Sequence, residues 1–234
     1  MSHAQRADCA LAVFGRAPVS GVAKTRLARA TGAGGVALGP EGAARLYAAF
    51  LGDTLATAAR VGAMGRLDVA LWVAGAIDDA TLAAVPGVAG LSRVAQPELD
   101  LGARMRAALD AGVASHGRAL VVGSDAPTLP SDILVSACDA LAHADLVLVP
   151  AADGGYVLVG ARAPLPAEVF AGVRFSTRHA LADTLAGTRR AGLSVACVAP
   201  WYDVDTPEDL RLLRLHLALA PDAAPHTARA LRDL

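Results

Sequence analysis

Cys9-Ala10-Leu11-Ala12-Val13-Phe14 runs straight into Gly15-Arg16-Ala17-Pro18-Val19-Ser20-Gly21-Val22-Ala23-Lys24-Thr25-Arg26-Leu27. The first six residues form an unbroken apolar run with no polar alternation. Such a run reads as a strand covered on both faces. Gly15, Pro18 and Gly21 then shape a loop whose backbone N–H groups can face an anion, and Arg16, Lys24 and Arg26 add three cations. The combination suits a polyphosphate. It is not a Walker A loop, which sets Gly immediately before the Lys, where this chain has Ala23.

The same kind of strand recurs at Leu67 to Val73, Ala119 to Val122, Leu146 to Val149, Tyr156 to Val159 and Leu193 to Val198. Helical stretches separate them. Glu41 to Arg60 is rich in Ala and Leu and free of Pro, and Leu101 to Ser115 follows a capping Asp100. Pro130 to Ala142 and Thr206 to Ala220 each open on Pro and acidic residues, which favour the positive end of a helix. Alternating strands and helices predict a mostly parallel sheet covered on both faces. Ligands in such folds gather at the carboxyl ends of the strands.

Composition sets the outer limits. The 234 residues are 54% hydrophobic and 18% charged with a formal net charge of -1, which predicts one globular domain over residues 1–234. Residues 221–234 read as a loosely ordered tail. Balanced charge and 4% aromatic residues argue against a nucleic-acid partner. No apolar run is long enough for a membrane span, and the polar start lacks the order of a signal peptide, so a cytoplasmic location is expected. The oligomeric state is left open. Cys9, Cys138 and Cys197 lack metal-ligand spacing and are expected to be buried thiols. Of the 21 basic residues, 20 are Arg and one is Lys, Lys24. In a chain so biased toward Arg, the one Lys marks a place where Arg does not serve.

Further motifs follow the strands. Gly123-Ser124-Asp125-Ala126-Pro127 puts a carboxylate at a strand end, where it can hold Mg²⁺ through oxygen; otherwise Asp125 caps a turn. Tyr202-Asp203-Val204-Asp205-Thr206-Pro207 reads as a helix start and also offers Asp205 as a second metal carboxylate. Asp153-Gly154-Gly155-Tyr156 fits a tight hairpin turn, or a close approach of backbone to ligand. Asp100, Gly102 and Arg104 open a helix and could face the cleft. Gly32 to Ala37 formally fits G-x-G-x-x-A, but it does not directly follow a strand, so a Rossmann NAD site is disfavoured.

Taken in order, Pro18, Gly21, Lys24-Thr25-Arg26-Leu27, Asp100-Leu101-Gly102 with Arg104-Met105, Gly123-Ser124-Asp125 with Pro127, Asp153-Gly154-Gly155-Tyr156 and Asp203 to Leu210 resemble the nucleotide-diphospho-sugar transferase superfamily. More closely, the chain resembles the uncharacterised bacterial glycosyltransferase-like family related to 2-phospho-lactate guanylyltransferases. The resemblance implies a glycosyltransferase-A fold, a single three-layer α/β/α domain. It implies catalytic Lys24, Asp125 and Asp205, with Asp125 and Asp205 holding Mg or Mn. Gly15, Arg16, Gly21, Lys24, Arg26, Asp100, Gly102, Ser124, Asp153, Gly154 and Gly155 are then the nucleotide-binding set. The chain departs from its relatives at Arg16 (commonly Lys), Ala126 (commonly Cys) and Phe175 (often Trp).

The activity so implied is Mg²⁺-dependent transfer from a nucleotide donor to a small-molecule acceptor. Nucleotidyl transfer from a nucleoside triphosphate with release of pyrophosphate is expected first, because three cations in the first loop match a triphosphate tail. Glycosyl transfer from a nucleotide-sugar and a non-catalytic nucleotide-binding module are the alternatives.

Overall fold

The computed structural model describes residues 7–31 and 37–234. Gly32 to Val36, the glycines of the G-x-G-x-x-A segment, lie outside the described residues. A seven-stranded sheet runs through the described chain in the order β3-β2-β1-β4-β6-β5-β7. Its strands are β1 (Cys9–Arg16), β2 (Leu67–Ala74), β3 (Ser92–Ala95), β4 (Ala119–Gly123), β5 (Leu146–Pro150), β6 (Tyr156–Ala161) and β7 (Val195–Cys197). β1 lies in parallel between β2 and β4, with Val13 opposite Leu71 on one side and Val122 on the other. β6 alone runs against its neighbours, because residues 151–155 turn the chain back on β5 as a hairpin.

The helices are α1 (Gly39–Ala63), α2 (Ala80–Ala83), α3 (Leu101–His116), α4 (Ser131–Ala140), α5 (Ala180–Arg190), α6 (Pro207–Leu219) and α7 (Pro225–Arg232). Local chemistry sets their ends. Asp100 caps α3 by accepting from the Ala103 amide at 2.9 Å, and Gly117 ends the helix in the left-handed region, φ 75°. At α6, Thr206 and Asp209 form a reciprocal capping box with Pro207 in the first turn.

The continuous apolar strands are explained by cover on both faces. Leu11, Val13, Leu71 and Val122 pack toward Leu51, Leu55 and Ala58 of α1 and Ile133 and Leu134 of α4. Ala12, Val121, Leu148 and Val159 pack toward Met105 and Leu109 of α3 and toward Phe170. Burial of each such Leu contributes about 1.5–3 kcal/mol. The three-layer α/β/α expectation is met. Short elements escaped the sequence reading for plain reasons: β3 is a four-residue edge strand reading Ser-Arg-Val-Ala, α2 is a single four-residue turn, and α5 carries few large apolar residues among charges.

Two expectations are corrected. Residues 221–234 are not a loose tail. They hold a 3-10 turn and α7, which docks on α1, and Asp53 of α1 caps it. Asp53 is 2% exposed and accepts from the His226 amide at 3.0 Å and the Thr227 amide at 2.8 Å. The cap lies far away in sequence, so no local signal announces this helix. Of the three cysteines, Cys9 and Cys138 are buried but Cys197 is exposed, because β7 is an edge strand.

Replacing Asp53 by Ala leaves two buried helix-terminal amides without acceptors. The expected loss is about 1–3 kcal/mol of stability, read from urea denaturation, with proteolytic release of the last helix preceding global unfolding.

Candidate active site

The carboxyl ends of β1 and β4 and the start of α6 converge on a cavity of about 480 Å³. Its floor is apolar, with Phe14, Leu101, Met105, Val121 and Val159. Its charged wall holds Arg16, Lys24, Arg26, Asp125, Asp203 and Asp205.

Lys24 is the centre of that wall. Its backbone sits in the left-handed region at φ 50°, unusual for a residue with a Cβ. That turn directs the side chain inward, where it is only 7% exposed. The ammonium donates to Asp125 Oδ1 at 2.8 Å and Asp205 Oδ1 at 2.5 Å. Arg26 reaches Asp205 Oδ2 at 2.5 Å from the solvent side. Burial by itself disfavours the charged amine, but the two carboxylates outweigh it and hold the Lys24 pKa above its usual value. Burial likewise acts against ionised Asp205, and Lys24 and Arg26 reverse it, so this carboxyl stays below the usual range.

Backbone and hydroxyl contacts fix the frame. The Asp125 carbonyl accepts from the Val204 amide at 2.8 Å, which ties the two carboxylate-bearing loops together. The Tyr47 hydroxyl, from α1, accepts from the Arg16 amide at 3.0 Å and bonds the Ser124 hydroxyl at 3.0 Å. Sequence reasoning missed Tyr47; one tyrosine in an Ala/Leu-rich helix carries no motif. It also missed Ser176, a cavity residue at φ 60°, and Asp203 as a titratable wall residue. Arg104, noted in the sequence as facing the cleft, lines the cavity and donates to Gln96 Oε1 at 3.0 Å.

Of the residues expected to bind nucleotide, Gly15, Arg16, Lys24, Arg26 and Ser124 line the cavity with Asp125 and Asp205. Gly21, Asp100, Gly102, Asp153, Gly154 and Gly155 are not among its lining. Several of these have building roles. Gly102 packs so closely that a Cβ there would stand 2.9 Å from Phe170 Cβ and 3.0 Å from the Phe175 ring. Gly154, at φ 89°, passes against the Arg178 backbone, where a Cβ would clash. Asp153 accepts from the Gly155 amide at 2.7 Å within the hairpin turn. The two glycines thus let the 170–178 segment, which brings Ser176 to the cavity lining, pack closely against α3 and the hairpin turn.

No group of three or more His, Cys, Asp or Glu is gathered as a metal cage among the described residues. Asp125 and Asp205 nevertheless fit a hard cation of the magnesium type. Such ions take one or two carboxylates and complete their shell with water and substrate phosphates.

The fold is that of the nucleotide-diphospho-sugar transferases. A crystal structure from Desulfovibrio desulfuricans G20, whose name proposes such a transferase, is 30% identical; the match covers 97% of this chain and 95% of that one, with a TM-score of 0.84. A cytidylyltransferase from Leptospira borgpetersenii serovar Hardjo-bovis (strain JB197) is 12% identical over 92% of this chain and 88% of its own, TM-score 0.57. The Mycobacterium tuberculosis H37Rv protein Rv0371C, in complex with manganese, is 19% identical over 88% and 98%, TM-score 0.51. No curated protein matches the chain. Residues 57–177 match the family described as "Uncharacterized protein conserved in bacteria (DUF2064)", and the chain belongs to that family.

Asp203 gives this site a pH signature. Burial, then the neighbouring Asp153, Asp205 and Asp125, push its carboxyl up to about 6. The folded carboxyl therefore keeps its proton to higher pH than the unfolded one, near 3.9. Its ionisation weakens the fold as pH rises from about 4 to 6, and the cost is fully present above pH 6. Asp203→Asn removes that cost. Thermal melts are expected to place the variant above wild type at pH 7, with the gap closing near pH 4.

Proposed function

We propose that this protein is a nucleotide-dependent transferase that moves a nucleotidyl group from a nucleoside triphosphate to a small phosphorylated or hydroxylated acceptor, releasing pyrophosphate. The observation that carries the reading is the buried Lys24 ammonium held between Asp125 and Asp205 at the strand ends, with Arg16 and Arg26 on the same cavity wall. The 30% identical relative and the cytidylyltransferase of like fold support it.

The acceptor oxygen attacks the α-phosphorus as the bond to the pyrophosphate oxygen breaks. Negative charge builds on the departing phosphates. Lys24, Arg26 and Arg16 would receive it, so that catalysis rests on positioning and charge stabilisation, without a covalent intermediate. Asp125 and Asp205 would hold magnesium or manganese, which when bound supplies further charge neutralisation at the phosphates. The manganese complex of Rv0371C supports that choice of ion. Tyr47 keeps the Arg16 backbone and Ser124 in register across the cavity mouth. The apolar floor, with Arg104 at its edge, suits the uncharged body of a nucleoside or acceptor.

The test is a thermal-shift panel of nucleoside triphosphates and nucleotide-sugars, with and without Mg²⁺. A ligand selective for the folded state raises stability by RT ln(1 + [L]/Kd). A triphosphate is expected to raise Tm in a Mg²⁺-dependent way that Asp125→Ala and Asp205→Ala abolish. A shift by nucleotide-sugars alone would favour glycosyl transfer. A shift indifferent to Mg²⁺ would favour a non-catalytic binder, and no shift by any nucleotide would refute the reading. In the enzyme, Lys24→Arg is expected to lower turnover by about 10²-fold, because a displacement on the 1 Å scale costs that much in a positioned site.

A further inference from the structure

Within the cavity wall, Asp125, Lys24, Asp205 and Arg26 form one linked ion-pair group. Asp205 spends Oδ1 on Lys24 and Oδ2 on Arg26, and Asp125 spends Oδ1 on Lys24. Two negative charges are met by two positive ones, and the inner cation stands in the gap between the carboxylates, where a shared divalent ion would sit. Lys24 is held there at φ 50° and is 7% exposed.

We propose that Lys24 is a built-in placeholder cation whose ammonium excludes a divalent metal from Asp125 and Asp205 until a polyphosphate draws it away. The inference rests on the metal role given to these two carboxylates under the proposed function. Its physics is short-range electrostatics. A divalent ion entering beside a retained ammonium meets a like charge within a few ångströms at a partly buried site. An ammonium that simply swings out to water leaves a salt-bridged position for nothing in return. A polyphosphate offers Lys24 and Arg26 new anionic partners, and it offers the metal additional oxygens. Metal and polyphosphate therefore bind as a coupled pair, each weak without the other. Coupling free energies between ligands ordinarily span about 5–150-fold in affinity, and linkage makes the effect reciprocal.

Two measurements test this without turnover. The first is Mn²⁺ binding by the free-ion EPR signal, for wild type and Lys24→Met. Lys24→Met is expected to bind Mn²⁺ in the absence of polyphosphate about tenfold or more tightly than wild type. The second uses the wild-type chain and so does not depend on the variant folding. Because Lys24 is the only lysine, ¹⁵N-lysine labelling yields a single side-chain ammonium signal. That signal is expected to show the slow hydrogen exchange of a buried ion pair in the free protein. It should be unchanged by Mg²⁺ alone and should shift when inorganic tripolyphosphate is added together with Mg²⁺. An ammonium signal that moves with Mg²⁺ alone, or stays fixed with Mg²⁺ and tripolyphosphate together, overturns the placeholder role. Tight Mn²⁺ binding by wild type that Lys24→Met does not improve also overturns it, yet leaves the metal role of Asp125 and Asp205 standing. Absence of Mn²⁺ binding in both proteins, with and without tripolyphosphate, brings down both.

Discussion

Two carboxylates that approach a common point require a cation, and a buried ammonium requires carboxylates. The Asp125–Lys24–Asp205 bridge meets both demands at once, and the surrounding segments are arranged to deliver its three members. Lys24 comes from the loop after β1, Asp125 from the end of β4 and Asp205 from the residue before the α6 cap. Removing both carboxylates would leave the 7% exposed Lys24 ammonium buried and uncompensated, a cost well above that of an ordinary surface ion pair. The backbone accepts a consequence of its own: Lys24 occupies a left-handed conformation that a residue with a Cβ avoids. The Asp125 carbonyl to Val204 amide bond holds the two carboxylate loops at fixed separation, so the bridge does not depend on side chains alone.

The motifs around the cavity divide by task. Lys24, Arg26, Asp125 and Asp205 present charge. Asp100, Gly102, Asp153 and Gly154 hold the walls. The second group is no less constrained. Gly102 lies under Phe170 and Phe175, and Gly154 against Arg178, so the segment bringing Ser176 to the cavity rests on two residues without side chains. The Leu181 amide also donates to the Gly154 carbonyl at 3.0 Å, which anchors the start of α5 to the same turn. A motif can thus be tied to a site by steric necessity.

This division explains what could be read from the chain alone. Strands buried on both faces were legible because continuous apolar runs such as Leu146 to Val149 have few other uses. Capped helices were legible because caps are local: Asp100 and Thr206 act within three residues. The helix at Pro225–Arg232 was not legible, since its cap, Asp53, is remote in sequence. In the site, charged residues beside glycine stood out. Tyr47 did not, because its role depends on α1 crossing over the ends of β1 and β4, and Asp203 did not, because its raised pKa depends on burial and on Asp153 and Asp125 arriving from other loops beside its near neighbour Asp205. Hairpin turn and close approach, posed as alternatives for Asp153-Gly154-Gly155, turned out to be compatible: the turn is a hairpin, and the Arg178 backbone approaches Gly154 closely.

The solitary lysine of an arginine-rich chain follows from the same geometry. A guanidinium is a flat fork whose paired N–H groups match the two oxygens of one carboxylate. The inner position demands one oxygen from each of two separate carboxylates, within a slot that leaves 7% of the side chain exposed. A compact ammonium with rotatable donors fits that slot, whereas a guanidinium is bulkier and holds its donors in one fixed plane. Arg26, 66% exposed and facing Asp205 from solvent, works under no such restriction. Composition drift toward arginine is therefore tolerated at the outer cation and stopped at the inner one. The contrast between two neighbouring cations on one aspartate accounts for the single Lys by the shape of the space between Asp125 and Asp205.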